Sequence, residues 1–413
     1  MLRAIPRYGA RIIPNTQQTI AALQSRHQLV RGPHLDMFEH AFAERVDVRH
    51  SISTSTGRMA FYYLLQALQL PQGSEVVFPA LTFWVIPELA RAAGLVPVFA
   101  DVDPTTFTLD PVAFERVITQ RTRAVVPTHL YGLPCDMGAI LDIAKQHRLA
   151  VIEDCAHALG ATWRGRPVGA LGDAGFFSFQ LLKPLNTYGG GMAVTNDPAL
   201  ANRVRTLVDS APWPSESDVR RRLFLGRVQR IGVMPRVFTI SVFPILWVSA
   251  CLHSTRDVYM WEKIRPLSPI PPSYHQRYTN VQAALGLEGL THLDQWTRST
   301  VEHARALGAA LDGVAIEVPR VPCDRTHVFY QYAVYTDHRD HVVRRCIRDG
   351  VDVETLHVDV CTELPLFGGN HAPAPGAQRA ATAIQLPIYA SLGATELERI
   401  ASVVRDSVAG TAA

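Results

Sequence analysis

"VIEDCAHALGATWRGRPVGALGDAGFFSFQLLKPLNTYGGGMAVTND", residues 151–197, holds three short apolar runs, at 151–154, 175–179 and 191–195, parted by glycine- and proline-containing stretches. Runs of this length between turn residues read as buried strands. The first ends on Glu153 and Asp154, and in open α/β sheets ligands gather beyond the carboxyl ends of strands. Between the other two, "SFQLLKPLNTYGGG", 178–191, carries a single cation, Lys183, just before a proline.

A lysine desolvated by apolar neighbours loses basicity, and its neutral amine can attack a carbonyl to form a Schiff base. The competing reading of Lys183 is a stem that snorkels to solvent. Pro184 biases Lys183 toward an extended backbone, which would aim the side chain from a fixed main chain. Glycines 189–191 permit positive φ and close backbone approach, suiting either a ligand passing near the chain or a plain turn. Asp154 can hold a protonated ring nitrogen, the partner that pyridoxal phosphate needs to act as an electron sink. Its ordinary reading is a helix cap, and that of His157, three residues on, a hydrogen-bonded structural histidine.

Working outward, "EVVFPA" (75–80), "VPVFADV" (96–102) and "RAVVPTHLYG" (123–132) continue the strand pattern. "DMGAILDIAKQHRL" (136–149) has apolar residues near helical spacing, so this part is expected to be an α/β layer structure. "STSTGRMAFYYLLQAL" (53–68) sets Ser, Thr and Gly before a helical run. The free N–H groups and dipole at such an end favour a phosphate, with Gly57 and Arg58 placed to take part. Further on, "HVFYQYAVYT" (327–336) reads as a strand, and "DHVVRRCIRDG" (340–350) and "GATELERIASVVRDSV" (393–408) as helices of a second unit.

The 413 residues suffice for two or three structural units with a large core. A net charge of +3 is too weak to argue for nucleic acid, and none is expected as a partner. The six cysteines show no metal-ligand spacing, so no metal is expected and a reduced, cytoplasmic setting is the default. The N-terminal stretch lacks a signal-peptide pattern, and the chain is expected not to be exported.

Together these pieces resemble the DegT-type aminotransferases, pyridoxal-phosphate enzymes best known for aminating keto-sugar nucleotides. The resemblance runs from "GPHLDMFEHAFAERVDVRHSISTSTGRMAF" (32–61) through "VPTHLYGLPCDM" (126–137), the opening stretch and "RYTNVQAALGLEGL" (277–290) to "IQLPIYASLGATELERI" (384–400). It implies the three-layer PLP-transferase fold type I, with a mostly parallel seven-stranded sheet and a smaller C-terminal α/β domain. The large domain would occupy 1–204, with 273–295 returning to it as an interdomain helix and 296–413 forming the small domain.

By the same resemblance Lys183 is the Schiff-base lysine and proton shuttle, and Asp154 pairs with the pyridine nitrogen of pyridoxal 5′-phosphate. Ser178, Gly57 and Arg58 hold its phosphate, and His157 stands near its 3′-oxygen where many members have glutamine. Phe83 falls where the family stacks an aromatic ring, with Trp84 as second candidate and substrate-side residue. His275 aligns with an asparagine that members donate to the partner subunit's phosphate site, which implies a homodimer with shared sites. His327 lies in a segment that binds substrate in some members. The implied reaction carries an amino group, usually from glutamate, to a keto acceptor. Another pyridoxal-phosphate reaction, or a non-catalytic cofactor-binding sensor, would use the same cofactor contacts.

Residues 205–272 interrupt the resemblance. They join clustered arginines (Arg220, Arg221, Arg222, Arg227, Arg230, Arg236) to a 16-residue uncharged run, 237–252, that contains Pro244. The run is shorter than the ~20 residues of a spanning helix. It is read as an interfacial segment within 220–260, with Phe243 and Trp247 entering the acyl boundary at the inner face of the membrane and a lipid-linked or hydrophobic acceptor in view. The alternative is a helical insertion packed in the dimer interface or on the large domain.

Overall fold

Alternation of side chains along a strand sends successive residues to opposite faces, and here both faces are apolar. Val76 and Phe78 point to one core and Val77 to the other; Phe176 and Phe177, Ile152 and Val151, and Ala193 and Met192 divide the same way. Such strands require cover on both sides. The computed structural model, which describes residues 3–9, 11–252, 263–355, 358–369 and 371–410, has that arrangement. Seven strands form one sheet: β1 (His50–Thr54), β2 (Glu75–Pro79), β3 (Val96–Ala100), β4 (Thr122–Val125), β5 (Ala150–Asp154), β6 (Ala174–Ser178) and β7 (Gly191–Thr195). Their order is β1-β7-β6-β5-β4-β2-β3. Only β7 runs against its neighbours, pairing antiparallel with β1 and β6, while the other pairs are parallel. The helices Gly57–Leu68, Val85–Ala92 and Pro198–Ser210 cover one face, and His34–Val46 and Met137–His147 the other.

A single 31-residue helix, Asn280–Ala310, carries the chain out of this layer structure. Ala283 and Leu293 lie in the sheet's core, whereas Ala304 and Leu307 lie in a second core. That core is built on β8 (Tyr332–Val334) paired antiparallel with β9 (Ile384–Leu386), and on the helices Arg339–Arg348 and Ala394–Ala409. The chain's beginning is stitched to it as well. Ile5 bridges to Val351, and the buried Arg7 guanidinium pairs with Asp352 at 2.8 Å.

The interrupting segment folds as three helices, Glu216–Gly232, Pro235–Ser241 and Phe243–Cys251, and its residues 253–262 lie outside the described ones. The uncharged run is therefore divided at Val242, beside Pro244, rather than forming one segment. Val219 and Leu223 pack with Tyr188 and Leu285 against the large domain, and Phe238, Leu246 and Ala250 enter the second core. Phe243 also packs on that core and near Phe238, so it faces inward and does not reach outward as the sequence reading had it. No helix among the described residues is long and apolar enough to cross a membrane.

The end of β5 is fixed by Glu153, whose side chain is fully buried. Its carboxylate accepts from the N–H groups of Gly169 at 2.9 Å and of Leu171 and Gly172 at 2.8 Å each. The Cys135 N–H donates to His129 Nδ1, which leaves the ring proton on Nε2, 3.0 Å from Glu153. Removing an acceptor that satisfies four buried donors is costly because each donor has already lost its water. Glu153→Ala is expected to destabilise the cofactor-free protein by about 3–5 kcal/mol, read from its urea midpoint.

Candidate active site

β5 and β6 are neighbours in register, Asp154 opposite Phe176, so Asp154 and Ser178 emerge at the same edge of the sheet. Asp154 is 5% exposed and accepts from the Ala156 N–H at 3.0 Å, closing a turn rather than capping a helix as its ordinary reading supposed. Burial pushes its carboxyl up to about 6, against the opposing pull of that N–H and of Lys183. Lys183 lies in a turn closed by its own N–H to the Gln180 carbonyl, not in extended strand. Burial pulls its ammonium down to about 8, opposed by the charges of Asp154 and Glu354 and reinforced by Arg58. Low polarity thus moves both groups toward their neutral forms while their mutual attraction limits the drift.

The other edge of the site is a close approach of three backbones. Helix Gly57–Leu68 begins there, capped by the Thr56 hydroxyl, which accepts from the Met59 N–H. A Cβ on Gly57 would stand 2.9 Å from Ser178 Cβ, and one on Gly191 would stand 2.3 Å from the Gly57 nitrogen. Gly190 has φ +111°, and a side chain there would strike the Tyr278 ring. The glycine run is therefore what lets Ser178 meet a helix N-terminus, where the Gly57 and Arg58 N–H groups favour an anion. Arg58 stands over the Phe83 ring at 5.6 Å and donates to the Tyr274 hydroxyl at 2.6 Å.

Lys183, Asp154, Ser178, Gly57, Arg58 and Phe83 gather around this edge, and His157 joins them through Tyr330. The Tyr330 ring stacks on His157 at 4.2 Å and lies 4.9 Å from Lys183 Nζ. Three other candidates are engaged in contacts of their own, Trp84 with its ring centre 6.2 Å from that of Phe83. Trp84 is 2% exposed inside the sheet's core. His327 stacks on Phe329, its Nδ1 accepts from the Phe329 N–H at 2.9 Å, and burial lowers its pKa to about 3, so it holds a turn as a neutral ring. His275 flanks Tyr62 and Tyr63 of its own chain, with ring centres 6.3 and 6.4 Å away.

The sequence reading missed a layer supplied by the small domain and the chain's start. Glu354, 1% exposed, accepts from the Tyr8 hydroxyl and from Gln331 Nε2 at 2.9 Å, and its charge acts on Lys183. Arg11 donates to the Pro184 carbonyl at 2.7 Å. These residues come from three distant parts of the chain, and no local spacing announces them. One ligand-type atom each from His129, Glu153 and Cys155 lies within a 4.8 Å cluster, but Glu153 there is engaged by the four donors described above.

The profile of the DegT/DnrJ/EryC1/StrS aminotransferase family matches residues 11–230 and 247–405, nearly the whole chain. The chain belongs to this family. A GDP-perosamine synthase of Caulobacter vibrioides is 32% identical over 88% of this chain and 87% of its own length. A "Pleiotropic regulatory protein" of Geobacillus stearothermophilus is 30% identical over 92% and 90%. Among solved structures, S. venezuelae DesV in complex with a ketimine intermediate superposes with a TM-score of 0.76 at 29% identity, covering 95% of this chain and 94% of that one.

Aminotransferases of this family depend on pyridoxal phosphate, and the residues present fit it. A buried carboxyl, a buried amine and a glycine-lined helix start that a Cβ would obstruct are the donor set such a group needs. The protein has only three lysines, Lys145, Lys183 and Lys263, so amine chemistry at Lys183 is readily isolated. In the cofactor-free protein, labelling of Lys183 by trinitrobenzenesulfonate, followed by peptide mass, is expected to reach half its maximal rate near pH about 8. Asp154→Asn should move that midpoint lower, because the lost negative charge no longer favours the ammonium.

Proposed function

We propose that this protein is a pyridoxal 5′-phosphate-dependent aminotransferase that moves an amino group from glutamate to a keto-sugar nucleotide or a lipid-linked keto acceptor. The observation that carries the reading is the buried Lys183 amine beside the buried Asp154 carboxyl, next to the glycine-lined start of helix Gly57–Leu68. Lys183 would hold the cofactor through its side-chain amine. When bound, the cofactor supplies an electron sink for negative charge developing at the carbon next to the substrate nitrogen.

Each residue then has a role that its setting supports. Lys183 Nζ, shifted toward neutrality by burial, takes and returns the proton at the reacting carbon. Asp154 would keep a proton on the ring nitrogen, and its aim is set by the Ala156 N–H and by the end of β5. Ser178, Gly57 and Arg58 would hold the phosphate, Phe83 would cover the ring, and His157, backed by Tyr330, would hydrogen-bond at the 3′-oxygen. Trp84 and His327 shape the site from behind, as packed core and turn. We take the working unit as a homodimer with shared sites, His275 contributing to the partner's phosphate site. We place it in the cytoplasm, with residues 220–252 directed at the inner face of the membrane.

A second reading, a cofactor-binding regulator without turnover, is favoured by the regulatory name of the Geobacillus relative. One experiment separates the two. Borohydride reduction of the cofactor-loaded protein should leave a pyridoxyl group on the Lys183 peptide, absent in Lys183→Ala. Glutamate should convert the bound cofactor to its amino form, read by absorbance, and Asp154→Asn should slow that conversion by about 10²–10³-fold. A labelled Lys183 peptide with no conversion by any amino donor would establish the regulator.

A further inference from the structure

From Val219 to Leu252 the sequence has six arginines and no aspartate, glutamate or lysine. The fold sorts these residues onto two faces. On helix Glu216–Gly232, Val219, Leu223 and Gly226 form one stripe at helical spacing, and it is buried. A Cβ at Gly226 would lie 2.2 Å from the Tyr188 ring, so this stripe seats directly on the loop that follows Lys183. Arg222 points the same way, donating to Gln282, whose amide donates to the Thr187 and Gly189 carbonyls of that loop.

The opposite stripe is apolar too, and it is open. Phe224 is 64% exposed, and Leu225, Val228 and Ile231 are exposed beside it. The next two helices repeat the pattern. Phe238, Leu246 and Ala250 are buried, whereas Ile240 is 75% exposed, Ile245 59% and Leu252 75%, with Trp247 and Val248 also exposed. Folding of the chain accounts for the inward stripes and leaves the outward ones without a purpose. Contiguous apolar surface rimmed by charge marks a docking site. Here the rim of Arg221, Arg227 and Arg236 is exposed and of one sign, while Arg220 beside it is paired with Glu216 at 2.6 Å.

We propose that the outward face of residues 220–252 is a docking surface for an anionic lipid headgroup layer, with its apolar side chains entering the acyl boundary. This deepens the membrane placement made above and is independent of the amino-transfer chemistry. A second copy of the chain is a poorer occupant. A two-fold interface would set this arginine-rimmed patch against itself, with no acidic residue between 219 and 252 to answer the charge. An anionic surface answers both the charge and the apolar stripes. The same helices rest on the Lys183 loop and in the small-domain core, so a protein docked this way holds its cleft at a fixed position relative to the lipid.

The test is flotation of the full-length, cofactor-loaded protein with vesicles of phosphatidylcholine, alone or mixed with phosphatidylglycerol. Binding is expected only to the mixed vesicles, and it should weaken with salt. Ile240→Ser with Ile245→Ser should reduce partitioning roughly tenfold or more, since both side chains lose their burial in the acyl boundary. Arg221→Gln with Arg236→Gln should reduce it by about fivefold per arginine. Both variants should convert the cofactor with glutamate at the unaltered rate, so loss of flotation and loss of chemistry are separate results. Absence of binding to the mixed vesicles overturns the proposal. So does a serine variant that lowers the oligomeric mass in sedimentation velocity while flotation is unchanged, which would assign the face to a second copy.

Discussion

Four donors converge on the buried Glu153 carboxylate, and the position of the reactive groups depends on that convergence. Three are backbone N–H groups of the 169–172 loop, and the fourth is the His129 ring, itself held by the Cys135 N–H. A carboxylate with its lone pairs occupied in this way does not move without leaving several donors dry. The next residue along the chain is Asp154. Its carboxyl is thus aimed by a backbone that is pinned one residue earlier, and the loop that leads into β6 and Ser178 is pinned by the same group.

With the frame rigid, the site's chemistry follows from where charge is buried. Lys183 and Asp154 are both moved toward neutrality by the loss of water, and each restrains the shift in the other. The small domain enters this balance, because Glu354 acts on Lys183 and Tyr330 spans from Lys183 to His157. The surroundings of Lys183 are therefore a joint product of both cores, connected by helix Asn280–Ala310 and by the N-terminal stretch that carries Tyr8 and Arg11. A lysine whose proton affinity depends on groups from two domains responds to their relative placement.

The large domain was legible because its cause is local. Apolar runs of strand length between turn residues, together with glycines at a forced close approach, specify β5, β6 and β7 with little help from distant residues, whereas Pro184 pointed to extended backbone at Lys183 where the chain makes a turn. The Glu354, Tyr8 and Gln331 layer was not legible, since a tyrosine at 8 and a glutamate at 354 acquire meaning only once the domains are packed. Trp84 and His327 show the converse. Their residue types suit a site, and packing in the core and a bond to the Phe329 N–H give them structural work that the sequence did not announce.

The insertion shows where local pattern informs and where it misleads. An uncharged run of 16 residues reads as one apolar surface, yet the fold splits it at Val242 and spends part of it on packing, Phe243 included. The family match pauses at 231–246, across helix Pro235–Ser241, while nearly all of helix Glu216–Gly232 lies inside it, so the segment meets requirements of the shared frame as well as its own. Those requirements are two-sided. Gly226 must be a glycine for the helix to sit on Tyr188, which ties the segment to the Lys183 loop, while Phe224, two residues earlier, is left in solvent. A segment selected only to brace the loop would be polar on its far side, because exposed apolar side chains add nothing to bracing and invite aggregation. Keeping arginines and large apolar residues together on that side is a cost that binding to an anionic, apolar-backed surface offsets.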